Sequence, residues 1–124
     1  VQGSGPGDKD ESVYSLKPVL DVALGLAAKG IATLRYDKRT SIYKDPVEAG
    51  QDFTVRQETE DDALAAIQIA KMTAGVDQKQ IYCLGLSLGG MLMPRIASRT
   101  NDLAELVIAA GPARKFQDIS IEKN

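Results

Sequence analysis

The sequence predicts an α/β protein built on a parallel sheet with helices on both faces. Short apolar segments that suit strands alternate with amphipathic segments that suit helices, in the order loop, helix, strand, helix, strand, helix, strand. A glycine-rich segment, "GLSLGG", joins one of these strands directly to the helix that follows it. Apolar strands that alternate with helices are typical of a parallel sheet that is buried on both sides.

Composition narrows the class of protein. The chain has 124 residues, which suits one domain, and its 44% apolar and 26% charged content is ordinary for a globular protein. The net charge is -2 and basic residues are mixed with acidic ones, so no nucleic-acid partner is expected. No apolar run approaches the roughly 18 residues of a membrane span, so no membrane partner is expected either. Cys83 is the only cysteine, which excludes an internal disulfide and suits a small buried side chain.

The first predicted helix runs from about Leu16 to Lys29, and the strand "IATLRY" (31–36) follows it. Pro18 fits the first turn of the helix, where a missing N–H costs little, and Gly30 fits the stop at its end. One apolar stripe recurs at helical spacing and is made of Leu20, Ala23, Leu24 and Ala27. The segment therefore predicts an amphipathic helix followed by a buried strand.

A charged loop, "DKRTSIYKDP", follows this strand. Lys38 and Arg39 lie at the end of the strand. The chain contains no histidine, and no residue of this loop is an evident general base in its place. We expect both side chains to form ion pairs with Asp37 or with other charges of the loop.

The second predicted helix begins at Thr54, which has capping-box spacing to Gln57, and ends near Thr73 with Gly75 beyond it. Its buried face is expected to contain Ala63, Ala66, Ile67 and Ala70. Its N-terminal half carries the carboxylates Glu58, Glu60, Asp61 and Asp62, which favour the positive end of the helix dipole. A metal site is the alternative for these carboxylates, but consecutive residues point in different directions around a helix, so no metal is expected.

The remaining predicted elements are the strand "QIYCLG" (80–85), a helix from about Leu88 to Arg99, and the strand "AELVIAAG" (104–111). The last dozen residues, "ARKFQDISIEKN", fit either a further helix or a frayed tail.

Ser87 lies where the second of these strands meets its helix, in the pattern G-x-S-x-G. A strand-to-helix turn this tight strains the serine backbone and brings neighbouring chains close, so its flanking positions must be small, as Gly85, Gly89 and Gly90 are. The bend lifts the hydroxyl above the carboxyl end of the sheet, where α/β proteins bind ligands, and the helix N-terminus directs free N–H groups at a negative charge. The alternative is a glycine-rich connection whose serine only caps the helix.

A second glycine-rich segment, "QGSGPGD", spans Gln2 to Asp8. Dinucleotide binding requires G-x-G-x-x-G leading straight into a helix, and here the third glycine is misplaced and a long polar loop intervenes. Two interpretations remain from the residues alone. The segment is either a loop that offers a backbone N–H to an oxyanion or a flexible terminal segment.

Taken together, four ordered motifs resemble the α/β-hydrolase superfamily, and in particular its bacterial esterase-like members. They are "QGSGP" (2–6), "LRYDKR" (34–39), "GLSLGG" (85–90) and "AGPAR" (110–114), which together span nearly the whole chain. The resemblance implies that Ser87 is the nucleophile and that the N–H groups of Leu88 and Ser4 form the oxyanion hole. It implies no cofactor and no metal. Gln2 and Leu86 stand where such proteins often have histidine, but neither position normally supplies the general base.

The chain contains no histidine, although the superfamily takes its base from one. In that superfamily the triad follows the chain order serine, acid, histidine, with the last two on loops after later strands. By this resemblance we expect residues 1–124 to be a central part of an α/β-hydrolase domain, from the oxyanion loop through the strand after the nucleophile. The isolated chain is then expected to be largely inactive, because a serine without a base is a poor nucleophile.

The resemblance implies a small-molecule ester as substrate, while a non-catalytic α/β binding or interaction module remains the alternative. The cytoplasm is favoured slightly as the location, although the loop at the start leaves room for a native leader before Val1. The superfamily sheet places the strand that ends at "VQG" between residues 31–36 and 80–85. We therefore expect these two strands either to pair directly or to bury the gap by self-association.

Overall fold

The computed structural model describes residues 1–43 and 54–114. Its helices are α1 (Pro18–Ala27), α2 (Arg39–Ile42), α3 (Asp62–Met72) and α4 (Leu88–Ala97), and its strands are β1 (Tyr82–Leu86) and β2 (Glu105–Ala109). These elements confirm the first and last predicted helices and the last two predicted strands, with shifts of a few residues at their ends. The second predicted helix, expected from Thr54, is an α-helix only from Asp62, and α2 lies where the sequence predicts a loop. The expectation for residues 115–124 and part of the charged loop lie outside the described residues.

β1 and β2 form a parallel two-stranded sheet, in register from Tyr82 opposite Glu105 to Leu86 opposite Ala109. Val1 lies along the other edge of β1, because its backbone nitrogen donates to Leu84 O (2.6 Å) and its carbonyl accepts the N–H of Leu86 (2.9 Å). Since the backbone groups of alternate strand residues point to opposite edges, β1 is bordered on one side by β2 and on the other by Val1.

The hydrophobic core lies on one face of this sheet, under α3 and α4. Its buried members are Ala63, Ile67, Cys83, Leu92, Met93 and Ile96. The opposite face is open, since Tyr82 and Val107 are each 50% exposed. The expectation of helices on both faces is therefore wrong for the described residues. The apolar stripe of α1 is also largely uncovered, with Ala23 buried but Leu24 61% exposed.

The predicted strand at residues 31–36 does not form. These residues have no strand assignment, and Ile31 and Leu34 are 47% and 43% exposed. A strand needs a neighbour for its backbone groups, and in the described chain no segment forms a ladder with this one. The expectation that it pairs directly with β1 is also wrong, because Val1 occupies the nearest edge of β1. Without this strand in the sheet, α1 is not held over the open face.

A π-helical segment, Arg56–Asp61, leads directly into α3 and was not predicted. The capping-box spacing is used in part, because the side-chain oxygen of Gln57 accepts the backbone N–H of Thr54 (2.9 Å). The carboxylates of this region form ion pairs with different cations. Asp62 pairs with Arg39, and Glu60 contacts both Arg95 and Arg99.

Candidate functional site

Ser87 occupies a strained turn between β1 and α4. Its backbone angles are φ 53° and ψ −115°, in the positive-φ region that side chains other than glycine rarely adopt. Hydrogen bonds hold this conformation from both sides. The Ser87 N–H donates to Ala109 O, and the Ser87 carbonyl accepts the N–H of Met91, both at 2.9 Å. Such strain costs about 1–3 kcal/mol and persists only where the surrounding structure enforces it.

The Ser87 side chain does not cap α4. It stands at the N-cap position of the helix, yet its hydroxyl makes no capping hydrogen bond. The side-chain oxygen of a capping serine accepts the backbone N–H of the second or third helical residue, and the serine backbone is extended. The geometry therefore argues against the interpretation in which Ser87 only caps the helix.

The glycines around Ser87 are required by close packing. A Cβ on Gly89 would lie 2.3 Å from the carbonyl oxygen of Val1, and one on Gly85 would lie 2.7 Å from that of Gly89. A Cβ on Gly90 would lie 3.0 Å from Gly85 O. Contacts below 3.0 Å to backbone atoms leave no room for a side chain. The turn therefore packs directly against backbone atoms of β1, of the start of the chain and of the segment after β2.

The glycine-rich segment 2–8 lies directly beside Ser87. A Cβ built on Gly3 would be 3.5 Å from Ser87 Cβ and 3.8 Å from Leu86 O. Gly3 is buried, whereas Ser4, the next residue, is exposed. The chain therefore runs out of the interior past Ser87, with Gly3 within van der Waals reach of the serine.

Two side chains, those of Gln2 and Lys38, anchor this segment by donating to backbone carbonyls. The amide of Gln2 donates to the carbonyls of Asp8 (2.8 Å) and Tyr36 (2.6 Å). The ammonium of Lys38 donates to the carbonyls of Gly3 and, at 2.9 Å, Gly5.

The expected ion pairs of the charged loop are therefore only partly right. Lys38 is 2% exposed and binds backbone carbonyls instead of Asp37, with Glu58 Oε1 at 4.0 Å. Arg39 pairs with Asp62 on α3, which lies beyond the loop.

Glu11 occupies one of the backbone N–H groups near Ser87, so that group is not available to a ligand. Its carboxylate accepts the N–H of Gly3 at 2.6 Å. Within residues 1–43 and 54–114, no acceptor bonds the N–H of Ser4 or that of Leu88. Leu88 is the first residue of α4, where N–H groups lack partners inside the helix. These two donors lie on the two chain segments that meet at Ser87, and together with the helix end they suit a developing negative charge.

Burial shifts the pKa of two titratable groups, one in β1 and one in the residue whose carbonyl Gln2 holds. Burial raises the pKa of the Cys83 thiol, which lies in β1 under α4, and burial likewise raises the pKa of the Tyr36 phenol. Among the described residues, no group of three or more His, Cys, Asp or Glu side chains is placed to hold a metal ion. None of the described helices combines the length and the apolar character needed to cross a membrane.

Sequence reasoning missed the anchors of the 2–8 segment. Gln2 was considered only as a replacement for histidine, Lys38 as a loop cation, and Glu11 not at all. One signal was present in the sequence. Lys38 lies two residues after the predicted strand 31–36, and a parallel sheet places the carboxyl end of that strand at the same edge as Ser87. A lysine at that edge has backbone carbonyls within its reach.

Comparison with known proteins relates the chain to an esterase. Esterase EstD of Thermotoga maritima is 43% identical over 120 residues, which make up 96% of this chain and 27% of that esterase. The chain thus spans about a quarter of the length of this curated relative. No protein-family model and no solved structure matches the chain.

Proposed function

We propose that the chain carries the nucleophile and the oxyanion hole of a serine esterase with the α/β-hydrolase fold. The observation that carries this proposal is the strained backbone of Ser87 at the strand–helix turn, where the hydroxyl makes no capping bond. The similarity to an esterase over 96% of the chain supports the same chemistry. By this proposal residues 1–124 belong to one α/β-hydrolase domain, from the oxyanion loop to the strand after the nucleophile.

The proposed reaction is acyl transfer through a covalent intermediate. Ser87 Oγ attacks the carbonyl carbon of the ester, and its proton passes to a general base. The carbonyl oxygen becomes negative, and the N–H groups of Leu88 and Ser4 donate to it. Collapse of the tetrahedral intermediate breaks the bond to the alcohol oxygen, which takes the proton from the base. Water then attacks the acyl group in the same way, so that the acid is released and Ser87 is restored.

The general base is proposed to come from outside residues 1–124. The chain contains no histidine. The two charged side chains that contact the segment beside Ser87 are already engaged, since Glu11 accepts the Gly3 N–H and Lys38 binds two carbonyls. The similar esterase is almost four times as long as the matched part, which leaves room for an acid and a base elsewhere in such a protein.

A non-catalytic binding module is the alternative function. A binding protein has no evident use for a strained serine, because replacing it by glycine would relieve about 1–3 kcal/mol of strain. The strain therefore favours the enzyme. Ester hydrolysis that depends on Ser87 distinguishes the enzyme from the binding module.

The test uses the protein expressed from its complete open reading frame. We expect it to hydrolyse p-nitrophenyl esters of short acids, and we expect Ser87→Ala to abolish turnover and covalent labelling by a fluorophosphonate. Ser98→Ala is the matched control, because the Ser98 hydroxyl donates to Arg95 O at the far end of α4. Undiminished hydrolysis by Ser87→Ala would refute the proposal. Polypeptide 1–124 alone should show little or no turnover, and turnover abolished by Ser87→Ala would reveal a base within it.

We also propose that polypeptide 1–124 self-associates in solution. Leu34 is 43% exposed in the segment that does not form its predicted strand, and Val107 is 50% exposed on the open face of the sheet. Light scattering should show a mass above that of the monomer, reduced by Leu34→Ser or Val107→Ser. A monomer at high concentration would contradict this proposal.

A further inference from the structure

Lys38 is a buried cation whose partners are backbone carbonyls of the segment beside Ser87. Its side chain is 2% exposed, and its ammonium donates to Gly3 O and Gly5 O. The nearest carboxylate oxygen, on Glu58, is 4.0 Å away and also accepts the hydroxyl of Thr40 (2.5 Å). Burying an ammonium costs several kcal/mol unless its protons are satisfied, and a well-packed apolar side chain is often as stable in its place. Stability alone therefore does not account for Lys38.

The carbonyl that Lys38 holds belongs to the same peptide group as the N–H of Ser4. The described chain contains no cis peptide bond, and in a trans peptide the C=O and N–H point in opposite directions. Fixing the Gly3 oxygen on Lys38 therefore fixes the direction of the Ser4 N–H. Donation from a cation to the carbonyl also polarises the peptide and strengthens its N–H as a donor.

The peptide before this one and the peptide two further along are held as well, which restricts rotation of the Gly3–Ser4 peptide. The preceding peptide donates its N–H, that of Gly3, to Glu11 at 2.6 Å. The Gly5 carbonyl is held by the same ammonium, at 2.9 Å. The backbone N–H of Lys38 donates to Gly7 O at 3.0 Å, which ties the lysine's own backbone to the segment.

We infer that Lys38 is a positioning residue that aims the Ser4 N–H at the oxyanion formed on the substrate of Ser87. This inference rests on the proposed function. Lys38 touches neither the substrate nor Ser87 in this role. It acts through the Gly3–Ser4 peptide, and its loss should weaken binding of the transition state while leaving binding of the ester unchanged.

The test compares Lys38→Met with Lys71→Met in the protein expressed from its complete open reading frame. Lys71 is the control, because it pairs with Asp102 at the surface, on the far end of α3. The competent sites in each sample are counted by fluorophosphonate titration run to completion, and kcat is expressed per titrated site. Removal of one oxyanion donor lowers kcat by about 100- to 1,000-fold, so a misdirected donor should lower it by about 10- to 100-fold with KM within about twofold.

The per-site value separates positioning from folding. If Lys38 only stabilises the fold, Lys38→Met lowers the number of titrated sites but leaves kcat per site equal to that of the unaltered protein, and the inference is overturned. If Lys38→Met leaves no sites to titrate, Lys38→Gln, whose amide can donate to one carbonyl, is measured under the same criterion. An active Ser87→Ala variant would overturn the proposed function itself, whereas an inactive Ser87→Ala with an unaffected Lys38→Met overturns only the role of Lys38.

Discussion

The turn at Ser87 and the segment 31–38 are both apolar stretches that end in polar residues, but only the first folds as the sequence predicts. Around Ser87, β1, α4 and β2 supply one another's contacts, and glycines at 85, 89 and 90 let their backbones touch. The segment 31–38 has one backbone hydrogen bond at its start, from the Ile31 N–H to Leu26 O (3.1 Å), and its side-chain bonds lie at its polar end. Arg35 pairs with Asp10, Tyr36 O accepts from Gln2, and Lys38 binds the 2–8 segment, while Ile31 and Leu34 stay half-exposed.

This difference shows what a local pattern can and cannot determine. A strand–turn–helix motif carries most of its partners within about thirty residues, so its sequence specifies its structure. A strand in the middle of a parallel sheet depends on neighbours that are distant in sequence. When the described chain offers no ladder, an apolar pattern alone does not form a strand.

The largest expected effect is in the core under the turn. Ile96 is 0% exposed on α4, and Leu24 is 61% exposed on α1. We expect Ile96→Ala to lower the free energy of unfolding by about 3 kcal/mol, because it leaves a cavity, and Leu24→Ala to change it by less than about 0.5 kcal/mol. Urea unfolding followed by circular dichroism measures both. Equal losses at the two sites would mean that α1 is packed as tightly as α4.

The next largest effect on the free energy of unfolding is expected at two glycines. A Cβ on Gly89 would lie 2.3 Å from Val1 O, whereas one on Gly25, inside α1, would meet nothing within 4 Å. We expect Gly89→Ala to destabilise the chain by about 2–3 kcal/mol through overpacking. Gly25→Ala should stabilise it by about 0.5–1 kcal/mol, because alanine loses less backbone entropy in a helix. Thermal unfolding of both variants checks the opposite signs, and a neutral Gly89→Ala would show that the turn can yield.

These contrasts also mark how much the sequence could predict. The strand–helix turn, the requirement for small residues around it and the parallel pairing of the last two strands follow from periodicity and glycine spacing. The anchors of the 2–8 segment did not, because Gln2 and Lys38 bind backbone carbonyls, and any residue type offers a carbonyl. The open face of the sheet was missed because the pattern of α1 shows which side is apolar but not whether anything lies against it.

A smaller effect tests the strain at Ser87 itself. At an ordinary position glycine is less stable than alanine, because it loses more backbone freedom on folding. At φ 53° and ψ −115° the order should reverse, since glycine relieves the strain that alanine retains. We expect Ser87→Gly to be more stable than Ser87→Ala by about 1 kcal/mol in urea unfolding. The same pair at Ser98, in ordinary helical geometry with φ −67°, should show the usual order. Alanine more stable than glycine at both positions would mean that residue 87 is not strained.

The smallest expected effect is a dependence of stability on alkaline pH, and it distinguishes the two regions by which group titrates. Burial raises the pKa of Cys83 in β1 above its ordinary value of 9.0 and that of Tyr36 in the 31–38 segment above 10.0. Because both pKa values are raised on folding, each contribution is fully present below the ordinary value and is lost as the pH rises past it, where the unfolded chain releases its proton first.

The free energy of unfolding should therefore begin to fall near pH 9.0 and fall more steeply above 10.0. Cys83→Ala should remove the first part of this slope and Tyr36→Phe the second, as measured by urea unfolding across that range. A first part unchanged in Cys83→Ala would mean that solvent reaches β1 as easily as it reaches the exposed apolar residues of the 31–38 segment.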